Sequence, residues 1–136
     1  MLYYLDTSVA AQALVANGPA RSWFDEVTAS GSDTLVSSRL LQTELTRVLR
    51  REGQPVSERA EVLDYVGGIP VSEPILATAE AITEHVKTLD SIHLASALAL
   101  GSDVVVATHD ANMKRVAEVL GLRTIDPVVD AGTTTP

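Results

Sequence analysis

Short apolar runs alternate with longer stretches of helical spacing along the whole chain. Leu2 to Leu5 is a compact apolar strand, followed by Val9 to Val15, which Thr7 or Ser8 can cap as a helix. Gly18-Pro19 marks a break and a new helix start, after which Trp23, Phe24 and Val27 recur on one face. Thr34 to Ser37 suits a second strand, and Ser37 or Ser38 can cap a helix from Arg39 to Arg51 that Gly53 and Pro55 end. Ser57 to Val66 reads as a further helix, Ile69 to Val71 as a brief edge strand that tolerates Pro70, and Pro74 to Val86 as another helix. Lys87 to Leu89 then connects to a strongly apolar helix, Asp90 to Leu100, with Gly101 as its C-cap. Val104 to Ala107 is a continuous buried strand, Ala111 to Leu120 a helix ending at Gly121, and Arg123 to Ile125 a last strand.

Strands alternating with helices predict an α/β domain: a parallel sheet with helices on both faces and right-handed crossovers. In such sheets ligands bind beyond the carboxyl ends of the strands, where Asp6 and Asp110 both fall on this reading. Four acids stand where a foldable domain least needs them. Asp6 and Asp110 follow apolar strands, Asp90 opens an apolar helix, and Glu44 interrupts a stripe formed by Leu40, Leu41, Leu45 and Val48. Each has a plain alternative. Asp6, Asp90 and Asp110 are natural N-caps, although Thr7 and Ser8 supply other hydroxyls beside Asp6. Glu44 resists such an account, because an unpaired carboxylate in an apolar stripe is costly; Arg47 or Arg51 is the partner a structural reading requires.

Composition narrows the chemistry. At 136 residues and 46% apolar the chain supports one domain, placed at residues 1–128, with 129–136 a small, polar, disordered tail. It has no cysteine, which removes thiolate metal sites and disulfides. The three histidines lack H-x-x-H or HExxH spacing, so a zinc site is disfavoured and His93 reads as a helix-face residue hydrogen-bonded near the acids. Oxygen donors favour hard cations such as Mg2+ or Mn2+, and four converging carboxylates make physical sense only around such an ion. No run approaches the roughly 20 apolar residues of a membrane span, and no basic segment with a hydrophobic leader opens the chain, so a cytoplasmic protein is expected. A net charge of −8 argues against a general nucleic-acid coat, unless bound cations reverse the local sign. Arg47, Arg50 and Arg51 read as a solvated helix face or as a track for an RNA backbone, and Trp23 and Phe24 as core or interface.

The segments Leu5-Asp6-Thr7-Ser8, Glu44, Leu89-Asp90-Ser91-Ile92-His93-Leu94-Ala95-Ser96-Ala97 and Ala107-Thr108-His109-Asp110 resemble, in order and spacing, the PIN-domain ribonucleases, especially VapC-type toxins. The resemblance spans about residues 1 to 127. It implies a three-layer α/β/α fold and Mg2+- or Mn2+-dependent endonuclease cleavage of RNA. It also implies a homodimer and neutralisation by a VapB-like antitoxin. Asp6, Glu44, Asp90 and Asp110 match the family's acidic metal-binding residues, and Thr7 or Ser8 with Thr108 match its supporting hydroxyls. Asn112 stands where some members carry a further acid, which leaves the number of metals open. Two other classes fit less well. A receiver module calls for adjacent acids after the first strand and a late lysine, and a dehalogenase-like phosphatase calls for D-x-D where Ser8 stands. A PIN-like domain in RNA processing outside a toxin pair, or one kept only for binding, remains an alternative.

Overall fold

The computed structural model describes residues 1–129. The expected tail therefore lies almost wholly outside the described residues. Five strands, β1 (Leu2–Leu5), β2 (Thr34–Ser38), β3 (Gly67–Ile69), β4 (Val104–Ala107) and β5 (Arg123–Ile125), pair in the order β3-β2-β1-β4-β5. Every pairing is parallel. The chain steps outward from β1 to β3, then crosses back to build β4 and β5 on the other side. Strand order thus reverses between β1 and β4, the position at which open α/β sheets hold their ligands.

Helices α1 (Thr7–Ala13), α2 (Pro19–Ala29) and α3 (Leu40–Arg51) cover one face. Alternate strand residues Leu5, Leu35 and Ala107 meet Val9, Phe24, Leu41 and Leu45 there in a closed apolar cluster. Trp23 and Phe24 are core residues, the former edge-on to Tyr3. After the helical turn Val56–Arg59 come α4 (Ala60–Leu63), α5 (Glu73–Ala81), α6 (Thr88–Leu98) and α7 (Ala111–Val119). On the opposite face, Tyr4, Val104 and Val106 pack against Leu94 and Ala97 of α6 and against Met113 and Val116 of α7. The three layers expected are present.

Several boundaries differ from the periodicity. The helix expected over 57–66 is a 3-10 turn followed by the single turn α4. Helix α5 stops at Ala81 instead of Val86; β-branched Ile82 turns extended, which lets Ile82 and Val86 reach the cluster under α6. Helix α6 begins at Thr88, two residues early, so Asp90 lies inside its first turn and is not a cap. Helix α1 begins at Thr7, and its cap is Asp6.

Candidate active site

Three elements end side by side at the carboxyl edge of the sheet. Leu5 pairs with Ala107 and Ala107 with Ile125, so Asp6, Thr108 and Asp126 occupy the next rung. The Asp6 amide continues the ladder to the Ala107 carbonyl, and the Thr108 amide to that of Ile125. Asp6 is 5% exposed and Thr108 fully buried, so their polar groups have to be satisfied within the protein. The Thr108 hydroxyl donates to Asp6 Oδ2 at 2.9 Å and accepts from the Asp110 amide at 3.1 Å. Ser8 Oγ donates to the same Asp6 oxygen at 2.6 Å and accepts from the His109 amide at 2.9 Å. Two hydroxyls thereby stitch the turn after β1 to the turn after β4. They are not caps that leave Asp6 spare: Asp6 itself caps α1, through a 3.4 Å contact with the Ser8 amide.

Glu44 approaches from α3. The buried line of that helix is Leu41, Leu45 and Leu49, with Glu44 half-buried beside it. Its partners are neither Arg47 nor Arg51, which are exposed. Thr7 Oγ1 donates to Glu44 Oε1 at 2.8 Å, and His93 Nε2 lies 2.5 Å from the same atom. The other ring nitrogen of His93 sits 2.6 Å from the Tyr4 hydroxyl, which also accepts from the Ser38 amide at 3.1 Å. Burial works against a charged imidazole at His93, but Glu44, Asp6 and Asp90 outweigh it and raise its pKa. Burial likewise disfavours the Glu44 carboxylate, and the hydrogen bonds and charge of His93 together with Thr7 lower its pKa on balance.

Asp90 is brought in by α6, one turn before His93 and on the same face, as helical spacing requires. Its carboxyl is pushed up to about 6, first by burial and then by the charges of Asp6, Asp110 and Glu44, with His93 opposing. The coupling sets the four predicted acids in one electrostatic neighbourhood. Asp110 caps α7, its Oδ1 accepting from the Met113 amide at 2.9 Å.

The anchoring follows a pattern. Asp6, Glu44 and Asp110 each turn one oxygen to protein donors, and the other meets no protein donor among the described residues. No buried side-chain polar atom in the described residues lacks a partner, so these second oxygens are not sealed in the core. The cage expected from sequence is correspondingly open: among the described residues no three His, Asp or Glu side chains form a group that could hold a metal ion as they stand. By type, however, the donors suit a hard divalent cation, and the charges of Asp6, Asp110 and Glu44, which add to burial in raising the Asp90 carboxyl, are what a cation would relieve.

Asn112 lies on the first turn of α7, where it donates to the His85 carbonyl at 3.1 Å and accepts from Arg115 at 2.9 Å. Tyr4 and Asp126 are polar residues of this region that sequence reading passed over. Tyr4 hid in an apolar strand, but Asp126 follows β5 as Asp6 follows β1, and that repetition was visible. His109 Nδ1 contacts Asp126 at 2.9 Å.

The PIN domain model matches residues 3–119, nearly the entire span that carries this arrangement. The chain belongs to the PIN domain family. Ribonuclease VapC46 of Mycobacterium tuberculosis is 33% identical over 95 residues, which cover 68% of this chain and 73% of that protein. Among solved structures, VapBC2 from Rickettsia felis, crystallised with a DNA fragment from its promoter, superposes with a TM-score of 0.73. That match has 15% identity and covers 92% of this chain and 98% of the other. The sarcin-ricin loop cleaving toxin VapC20 of Mycobacterium tuberculosis gives 0.64 at 17% identity, over 83% and 93% of the two chains. At these identities the structural matches establish the PIN fold. No helix in the described residues is long and apolar enough to cross a membrane.

Proposed function

We propose that this PIN domain is a metal-dependent endoribonuclease and the toxin of a toxin–antitoxin pair, with Asp6, Glu44, Asp90 and Asp110 as its metal-binding acids. The observation that carries the reading is the convergence of these four carboxylates at the strand-order reversal, registered in the raised Asp90 carboxyl. Family membership and the VapC ribonuclease relative point to the same activity. Nucleases of this kind depend on a metal, and the all-oxygen donor set selects Mg2+ or Mn2+. When bound, such an ion polarises the phosphodiester, lowers the pKa of the attacking water and stabilises the leaving oxygen.

The protein's own groups do the positioning. Ser8 and Thr108 fix one oxygen of Asp6, the Met113 amide fixes one oxygen of Asp110, and α6 holds Asp90 opposite them. Glu44, held by Thr7 and His93, orients the attacking water with its second oxygen. Arg47, Arg50 and Arg51 lie exposed on the helix that carries Glu44 and offer the nearest run of positive charge to an RNA backbone in a chain of net charge −8. The VapBC assemblies among the fold neighbours favour a VapB-like antitoxin as partner; a homodimeric toxin acting on cytoplasmic RNA completes the proposal.

Incubation of the purified chain with total RNA, with Mg2+ and with EDTA, tests the activity. Cleavage that appears only with the metal supports the reading. RNA left intact under both conditions, by protein freed of any antitoxin, overturns it.

A further inference from the structure

The acid site has a hydrogen-bonded backing that the nuclease reading does not by itself require. The His93 side chain is fully buried, and a buried imidazole needs partners at both nitrogens. Here one partner is Glu44 Oε1 and the other is Tyr4, itself 1% exposed and fixed to the Ser38 amide at the tip of β2. A backbone N–H can only donate. Ser38 and the ring hold the phenol at the sheet, and because an ionised carboxylate can only accept, Nε2 carries its N–H toward Glu44 whether the ring is neutral or charged. The chain of contacts therefore runs from the rigid sheet to the acid. Glu44 Oε1 takes a second donor from Thr7 on α1, so two elements other than its own helix fix the carboxylate plane. Its Oε2 has no protein donor among the described residues.

We infer that His93 and Tyr4 are positioning residues for Glu44: they lock Oε1 against the sheet and so present Oε2 to the ion and water at the acid site. This rests on the reading of the four acids as a nuclease centre. A helix glutamate on three rotatable bonds would otherwise sample many orientations, and partners beyond the direct ligands commonly set the affinity of a metal site.

Three variants of the full chain test it: His93→Leu, which keeps bulk and removes both nitrogens; His93→Gln, whose amide can donate at the reach of Nε2; and Tyr4→Phe, which deletes only the phenol oxygen. Mn2+ affinity is measured calorimetrically without RNA, and kcat and KM are measured separately with RNA. His93→Leu and Tyr4→Phe are expected to weaken Mn2+ binding about tenfold and to lower kcat with KM unchanged, and His93→Gln to recover most of both. Wild-type metal affinity and kcat in folded His93→Leu, or equal losses in His93→Leu and His93→Gln, overturn the inference by reducing His93 to a packing residue. If His93→Leu does not fold, Tyr4→Phe decides: an unchanged kcat and Mn2+ affinity overturn it. A wild-type chain that neither binds Mn2+ nor cleaves RNA brings down the nuclease reading instead, and the inference with it.

Discussion

Beneath α1, α2 and α3, the sheet residues Leu5, Leu35 and Ala107 meet Val9, Phe24, Leu41 and Leu45 in an apolar cluster. Beneath α6, on the other face, Tyr4, Ser38, His93 and Ser96 are buried as well, each with a hydrogen-bond partner. The first face gains free energy from hydrocarbon removed from water, roughly in proportion to area and with little directional demand. The second gains little net free energy from each polar contact but loses much if one partner is removed, and it dictates orientation. Both faces contribute apolar stability, since Val104, Val106, Leu94 and Met113 also pack together on the second, but the buried polar network that dictates orientation lies on the second. Thr7 and Glu44 are the points where the apolar layer reaches round to the polar one.

This contrast breaks first at the acids. Asp6→Asn or Asp90→Asn should lower RNA cleavage by at least about 100-fold while circular dichroism stays that of the wild type, because asparagine still caps α1 and Asp90 caps nothing. Retained cleavage in both variants would remove the acids from the reaction. The converse change is Leu45→Ala. It should cost about 3 kcal/mol in denaturant unfolding and leave kcat of the folded protein unaltered; a specific loss of kcat would show that the apolar face also tunes the site.

A smaller effect has an unusual sign. The Asp90 carboxyl is raised in the folded state, so below its unfolded pKa near 4 both states are protonated and it contributes nothing. Between about pH 4 and pH 6 the unfolded state ionises first, and stability falls as pH rises. Asp90→Asn should therefore raise the melting temperature of the metal-free protein at pH 7 by a few degrees, and Mg2+ should raise that of the wild type but not of the variant. A variant less stable than wild type under metal-free conditions contradicts the crowding of charge. The smallest change expected is Ser37→Ala, which removes a 2.6 Å hydrogen bond from the buried Ser37 hydroxyl to the Leu5 carbonyl. A loss of about 1 kcal/mol in unfolding, with kcat within twofold, would place that hydroxyl in the scaffold rather than the site.

Much of this was legible before any tertiary structure. Strands β1, β2 and β4 follow from short apolar runs bounded by turn residues, because burial on both sides of a parallel sheet demands continuous hydrocarbon. The four acids stood out as a set: three are individually explicable as helix caps, and Glu44, beside an apolar stripe, has no simple structural use. Helix ends were harder. Ile82 to Val86 keep helical spacing yet are not helical, because Ile82 and Val86 reach a different cluster from the one α5 packs on.

The sequence by itself determined which residues are apolar, where the chain must turn, and that four acids lie at positions a parallel α/β sheet brings toward one edge. Only the tertiary structure decided their partners. Asp6 and Thr108 are 102 positions apart, Glu44 and His93 are 49, and Tyr4 and His93 are 89. Hydrogen bonds of that span depend on strand order, register and helix rotation together. No local pattern encodes them, so Thr108 as a partner of Asp6, and Tyr4 as backing for His93, emerge only once the sheet is assembled.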